Sequence, residues 1–258
     1  MRTAILETII AALQPLDFVL AFWQGGSEAQ GYTDEWSDLD LQVIVQDNHV
    51  QETFDALEKS LRTLAPIQFK WRVPEPTWHG HGQCFYQLAG VSPFLFIDFV
   101  LIQHSHANHF LEVERHGNVV IGFDKANLVV PPPLNRSEHF LRMQERLAQL
   151  SMTFDFLQVL VKKEINRGRL IEALTNYHAF TLRPLVELLN MVHRPYRYDF
   201  RAKYFSRDLP AGIVTRVEPL YCITDLANLI QKQHLAEAFW VETLPDAKAK
   251  LKALQGSQ

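Results

Sequence analysis

Only two cysteines, Cys84 and Cys222, occur among 258 residues, too few for a disulfide framework and in keeping with a reducing, cytoplasmic setting. No apolar run approaches the ~18 residues that a membrane helix requires, so a membrane is not an expected partner. The opening MRTAILETIIAALQPLDF carries Glu7 within its apolar stretch and lacks a small-residue cleavage pattern. It therefore reads as an amphipathic helix rather than a signal peptide. A basic excess is missing too: 25 Lys and Arg against 29 Asp and Glu leave a net charge of −4, which speaks against nucleic acid as a partner. Internal repeats and low-complexity segments are also lacking. What remains is a chain 47% apolar, long enough to bury a large core and to divide into two domains.

Charge and proline mark the division. Residues 1–133 hold 7 Lys and Arg against 16 Asp and Glu, whereas residues 134–258 hold 18 against 13. The change falls at Pro131, Pro132 and Pro133, which continue neither a helix nor a central strand. The expected domains are therefore 1–133 and 134–258. In the first, helical spacing predicts helices over 3–14 and over VQETFDALEKSLRTLA, where Phe54, Leu57, Leu61 and Leu64 share a face. Strands are expected near 17–24, 39–46, in IQFKWRV, in CFYQLAG and in PFLFIDFVLIQ, giving a mixed sheet with helices on its outer face. The second half reads as helical. Phe140, Met143, Leu147, Leu150, Phe154, Leu157 and Val161 form one stripe, with Ser137 as half a capping box and Gly168 as the stop. A helix over 170–193, kinked at Pro184, and two more near 211–221 and 224–240 complete the half.

The most informative stretch is FWQGGSEAQGYTDEWSDLDLQVIV, residues 22–45. If Leu39, Leu41, Val43 and Val45 face one way along a strand, Asp38, Asp40, Gln42 and Ile44 face the other. Same-face residues two apart lie roughly 6.5–7 Å apart, close enough for two carboxylates to converge on one cation with oxygen ligands at about 2.1 Å. Such a site asks for a third ligand. Asp98 is the candidate, a single acid in a run of Phe, Leu, Ile and Val that reads as a strand buried on both faces. An unpaired carboxylate there is costly unless a cation or proton offsets it.

Gly26-Ser27, then Asp38-x-Asp40 with apolar neighbours, then Asp98 on a later strand: in that order the set resembles the nucleotidyltransferase superfamily that includes DNA polymerase β and the antibiotic nucleotidyltransferases. The resemblance spans about residues 18–102 and implies an α+β fold, a mixed nucleotidyltransferase sheet with flanking helices followed by an α-helical bundle that helps hold the acceptor. It implies that Asp38, Asp40 and Asp98 ligate Mg²⁺ and that Gly26 and Ser27 hold the terminal phosphates of ATP or another nucleoside triphosphate. Asp98 then completes the site or takes the proton of the attacking hydroxyl. The reaction implied is transfer of a nucleoside monophosphate, AMP first among them, to a hydroxyl of a small molecule with release of pyrophosphate. Antibiotics of the aminoglycoside or lincosamide type are the acceptors the resemblance suggests, although the dispersed acids of the helical half offer no evident pocket for a polycation. Many antibiotic-modifying members read Gly-Ser-x-Ala-Arg-Gly. This chain has Gln30 in the Arg place, so the phosphates need a cation from elsewhere.

A source for it is HRPYRYDFRAKYFSRDLP, in which Arg194, Arg197, Arg201, Lys203 and Arg207 alternate with Tyr and Phe. Cations among aromatics can grip phosphate and stack on a base, and Lys203 or Arg201 is the expected substitute; a packed loop with snorkelling Arg is the other reading. His79, His81, His104, His106, His109 and His116 are six of the eleven histidines. Their spacing fits no standard zinc motif, and they read as solvent-exposed loop residues. A non-catalytic nucleotide-sensing or partner-binding protein on the same fold is the alternative function. Oligomeric state is not legible.

Overall fold

Ile5, Ile9 and Leu13 line one side of the first helix, α1 (Arg2–Leu13), and are fully buried. They open a computed structural model that describes residues 1–77, 79–106 and 111–256. The chain forms two compact units, Met1–Pro133 and Leu134–Gln258. In the first, α1 is followed by β1 (Val19–Gln24), a single helical turn α2 (Gly26–Ala29), β2 (Leu39–Val45), α3 (Val50–Leu64), β3 (Ile67–Arg72), β4 (Gly82–Leu88), β5 (Ile97–Gln103), a short α4 (Val113–His116) and β6 (Val120–Asp124). The six strands make one mixed sheet in the order β3-β4-β5-β2-β1-β6, in which β2 and β5 run parallel and the other neighbours antiparallel.

Alternation along the strands gives the sheet two different faces. Leu39, Leu41, Val43 and Val45 of β2 join Ile97, Phe99 and Leu101 of β5 and the apolar sides of α1 and α3 in one core. Glu58 fastens α3 to the sheet, pairing with Lys70 and accepting from the Tyr86 hydroxyl at 3.2 Å. On the opposite face Ala21, Trp23, Ile44, Ile102, Leu111 and Val129 form a smaller cluster. Among the described residues it lies toward the ends of β2 and β5 remote from Asp40 and Asp98, with Val100 packed against it. The Asp98 strand is thus not buried on both faces: Asp98 and Val100 are half-buried, and the preceding Phe94 and Phe96 are exposed and outside the strand. Strand β6 has no counterpart among the expected elements, because Gly122 and the exposed Val120 and Ile121 blur its alternation.

The second unit contains α5 (Arg136–Asn166), α6 (Leu170–Tyr177), α7 (Arg183–His193), α8 (Phe205–Asp208), α9 (Ala211–Tyr221) and α10 (Leu226–Gln255). The α5 stripe is buried from Phe140 to Val161, except that Leu157 is only half-buried. Its cap is Asn135, not Ser137: Asn135 Oδ1 accepts from the Glu138 backbone N–H at 3.2 Å, and Asn135 Nδ2 donates back to the Glu138 carboxylate. Asn135 is thus the side-chain N-cap, with a second, side-chain pair to Glu138 beside it. The helix expected over 170–193 is interrupted by a π turn at His178–Leu182, so that Pro184 falls in the first turn of α7, where its missing N–H is tolerated. Gln158 Nε2 donates to the Phe180 carbonyl at 3.0 Å, serving the widened turn. Helix α10 runs well beyond residue 240 and passes through Pro245, whose lost bond falls on the carbonyl of exposed Val241. Among the described residues no helix is long and apolar enough to cross a membrane.

Candidate active site

The parallel pairing of β2 with β5 sets Asp40 and Asp98 directly side by side as register partners. Neighbouring strands lie about 4.8 Å apart, so two carboxylates project together from the sheet face opposite α1 and α3. Each is the second residue of its strand. Asp38 precedes β2, half-buried, with its backbone carbonyl held by the Arg2 guanidinium, which also donates to the Ser37 carbonyl at 2.9 Å.

Over Asp40 lies the Gly-Ser turn. The Gly25 N–H donates to the Asp40 carbonyl at 2.9 Å, and the chain then opens into α2. Gly26 has φ +56°, and a Cβ on it would fall inside the Asp40 carboxylate. Only glycine lets the turn approach so closely. Ser27 Oγ is buried and, among the described residues, finds no hydrogen-bond partner; the same holds for Gln42 Oε1, which lies against Gly25. Buried polar atoms left so in a folded protein call for an explanation, and a ligand at this turn is the simplest.

A side chain that the motif does not include reaches Asp98, and a second bears on it through the first. Gln83 of β4 donates from Nε2 to Asp98 Oδ1 at 2.7 Å. Its Oε1 meets His79 Nε2 at 3.2 Å, while His79 Nδ1 accepts from the His81 backbone N–H at 3.1 Å. Because Nδ1 is an acceptor, the ring proton sits on Nε2 and is donated to Gln83, which turns the Gln83 amino group toward Asp98. The histidines near residue 80 are therefore not loose solvent-exposed groups. His81 is 2% exposed, and its ring packs edge-on against His106 with centroids 4.2 Å apart. His104 is exposed as expected, and His109 lies outside the described residues. No sequence signal marks Gln83; its pairing with Asp98 comes from the antiparallel β4-β5 register.

The donor set is oxygen only, which suits Mg²⁺ better than a transition metal. Among the described residues no group of three or more His, Cys, Asp or Glu stands ready to hold a metal ion. The fold builds a carboxylate pair, and Mg²⁺ is commonly held by one or two carboxylates with phosphate oxygens and water completing the octahedron. On that count Asp40, Asp98 and the Ser27 turn fit a Mg²⁺–triphosphate complex, and Asp38 stands one alternation away from Asp40.

Arg201 and Lys203 belong to the second unit. Both are exposed, and they lie on the turn after a 3₁₀ segment, Pro195–Phe200, with Arg201 at φ +53°. Lys203 Nζ stands 5.0 Å from the centre of the Tyr204 ring. The neighbouring cations are engaged within the unit. Arg194, Arg197 and Arg207 all pair with Asp208, and Arg194 also donates to the carbonyls of Arg201 and Lys203.

Set against protein-family models and curated proteins, the sequence matches none. Among solved structures the chain is similar to an aminoglycoside 6-adenyltransferase from Bacillus subtilis, at 12% identity and a TM-score of 0.41, over 98% of this chain and 92% of that one. It is similar to a spectinomycin adenyltransferase from Enterococcus faecialis, solved with ATP and spectinomycin, at 10% identity and a TM-score of 0.36, over 98% and 99% of the two chains. A further likeness, at 16% identity and a TM-score of 0.31, over 100% of this chain and 81% of that one, is to the STING-associated CdnE c-di-GMP synthase of Capnocytophaga granulosa.

Proposed function

We propose that this chain is a Mg²⁺-dependent nucleotidyltransferase that moves a nucleoside monophosphate, AMP from ATP, to a hydroxyl of a small-molecule acceptor. The observation that carries the reading is the side-by-side pair Asp40 and Asp98 on the sheet face opposite α1 and α3, with the Gly26-Ser27 turn folded onto Asp40. Residues 1–133 carry the chemistry in this reading, and residues 134–258 the acceptor-holding role.

The turn receives the terminal phosphates, with the Ser27 hydroxyl donating to a phosphate oxygen. Exposed Lys203 and Arg201 are the candidate cations for the charge that Gln30 lacks. Asp98, oriented by Gln83, accepts the proton of the acceptor hydroxyl. The hydroxyl oxygen forms a bond to the α-phosphorus while the bond from that phosphorus to the β-phosphate bridging oxygen breaks, and pyrophosphate leaves with its electron pair. Bound Mg²⁺ supplies neutralisation of the phosphate charge that builds on the leaving side. The remaining contribution of the protein is positioning, which is where most of the rate in such reactions arises.

Pyrophosphate release from ATP, GTP, CTP and UTP, measured against a panel of hydroxylated metabolites and antibiotics, tests the reading. Asp40→Asn and Asp98→Asn should each lower turnover by about 100-fold or more. Turnover that survives in both variants sinks it. Nucleotide binding that needs no metal and is followed by no turnover favours the sensing alternative.

A further inference from the structure

The row that holds the two acids does not end at Asp98. Phe85 of β4 is the register partner of Asp98, and Trp71 of β3 is the register partner of Phe85. Across four strands this face therefore reads Trp71, Phe85, Asp98, Asp40, over roughly 14 Å at about 4.8 Å per strand. Trp71 stacks on Phe85 with ring centres 5.5 Å apart and planes 17° from parallel, and Phe96 tilts against Phe85 at 6.1 Å. Trp71 is 50% exposed, Phe69 53% and Phe96 36%. Single exposed apolar residues are ordinary, but a run of aromatic rings beside a carboxylate pair is not.

The charges of β3 are kept off this shelf. Lys70 and Arg72, which flank Trp71, point to the other face, where Lys70 pairs with Glu58, and Arg72 lies over the Phe54 ring and bonds Glu75 at 2.8 Å. The rings of Trp71 and Phe85 are stacked with nearly parallel planes, so they present a stack that a further planar ring can extend rather than the cage that grips an ammonium group. The Gly26-Ser27 turn occupies the Asp40 end of the row and the shelf the Asp98 end. The two ends are chemically opposite.

We propose that Trp71, Phe85 and Phe96 form the subsite for the reacting end of the acceptor, and that this end carries a neutral planar aromatic ring beside the hydroxyl that is modified. The inference rests on the nucleotidyl-transfer reading above, because that reading puts the acceptor hydroxyl at Asp98. A ring attached near that hydroxyl then extends the stack of Phe85 and Trp71. A polycationic aminocyclitol has no planar ring to add to that stack.

The test uses the full chain with Mg²⁺ and a non-hydrolysable ATP analogue. Equilibrium dialysis measures binding of two ring-bearing probes, guanosine and 4-nitrophenyl β-D-glucoside, and of kanamycin, which has no aromatic ring; the two ring probes distinguish a nucleobase from another arene. Trp71→Ala should weaken the ring probe that binds by about tenfold, the usual range for loss of one stacking partner. Trp71→Phe should restore most of it, and affinity for the ATP analogue should stay unchanged in both. Phe85→Leu, which keeps apolar bulk but removes a ring, should act in the same direction and guards against a folding defect at residue 71. Unchanged ring-probe affinity in both Trp71→Ala and Phe85→Leu overturns the subsite, as does a fall in ATP-analogue affinity alone or failure of the wild type to bind either ring probe. Turnover onto saturated acceptors that ignores Trp71 removes the subsite and leaves the transfer reading. Trp71-dependent ring binding without turnover onto any acceptor does the reverse.

Discussion

Gly26 shows how one residue can join backbone and chemistry. Its φ of +56° and its contact with the Asp40 carboxylate are separate demands, and a side chain violates both. Gly31, at φ +70° with open space around it, makes only the first demand. Each Gly→Ala change should cost about 1–2 kcal/mol from the left-handed backbone. Only Gly26→Ala should also displace Asp40 and lower turnover by about 100-fold, a usual penalty for misplacing a reacting group by an ångström. Thermal melts and pyrophosphate release on the two variants check this; equal activity of both would show that the turn does not position Asp40. Gly26, Ser27, Asp38 and Asp40 are legible in the chain because they lie within one short segment whose pattern alternates. Gln83 and His79 are not, since their link to Asp98 depends on which strand lies beside β5 and in what register.

At the scale of elements, the basic segment before α8 is largely a packing device. Burial by itself would raise the Asp208 carboxyl, but hydrogen bonds from Arg207 and Arg194 and their charges hold it below the usual carboxylate range. A carboxyl with a depressed folded value contributes stability that is fully present above its unfolded value of about 3.9 and lost as pH falls through the folded value. The thermal stability of the wild type should accordingly fall in acid below about pH 4, and Asp208→Asn should lose that part of the pH dependence. The same variant should lose about 3 kcal/mol at neutral pH, since it strips the counter-charge from an Arg194 side chain that is 6% exposed. Melting curves between acid and neutral pH decide both points. Composition alone cannot separate such a knot from a phosphate grip, because Arg serves both. The long stripe of α5 needs no tertiary information, whereas the π turn at His178–Leu182 depends on Gln158 reaching across from another helix.

For the whole molecule, the buried clusters divide as the chain does. One runs from Phe140 to Leu251, and the other two lie between Ile5 and Val129. Residues 134–258 expressed alone should therefore be helical and melt cooperatively, as read by far-ultraviolet circular dichroism; a non-cooperative melt would show that this core needs the other unit. The division near the three prolines, the helical second half, the strand-and-helix alternation of the first and the acids themselves are all carried by local chemistry, since periodicity and turn residues act over a few positions. The site is not local. Asp40 and Asp98 lie 58 positions apart and become neighbours only because β5 inserts in parallel beside β2, between β4 and the rest of the sheet. That same order brings Gln83, Phe85 and Trp71 to the Asp98 side. Strand order and register are set by which faces bury their apolar residues together, a property of the assembled sheet that no single segment contains.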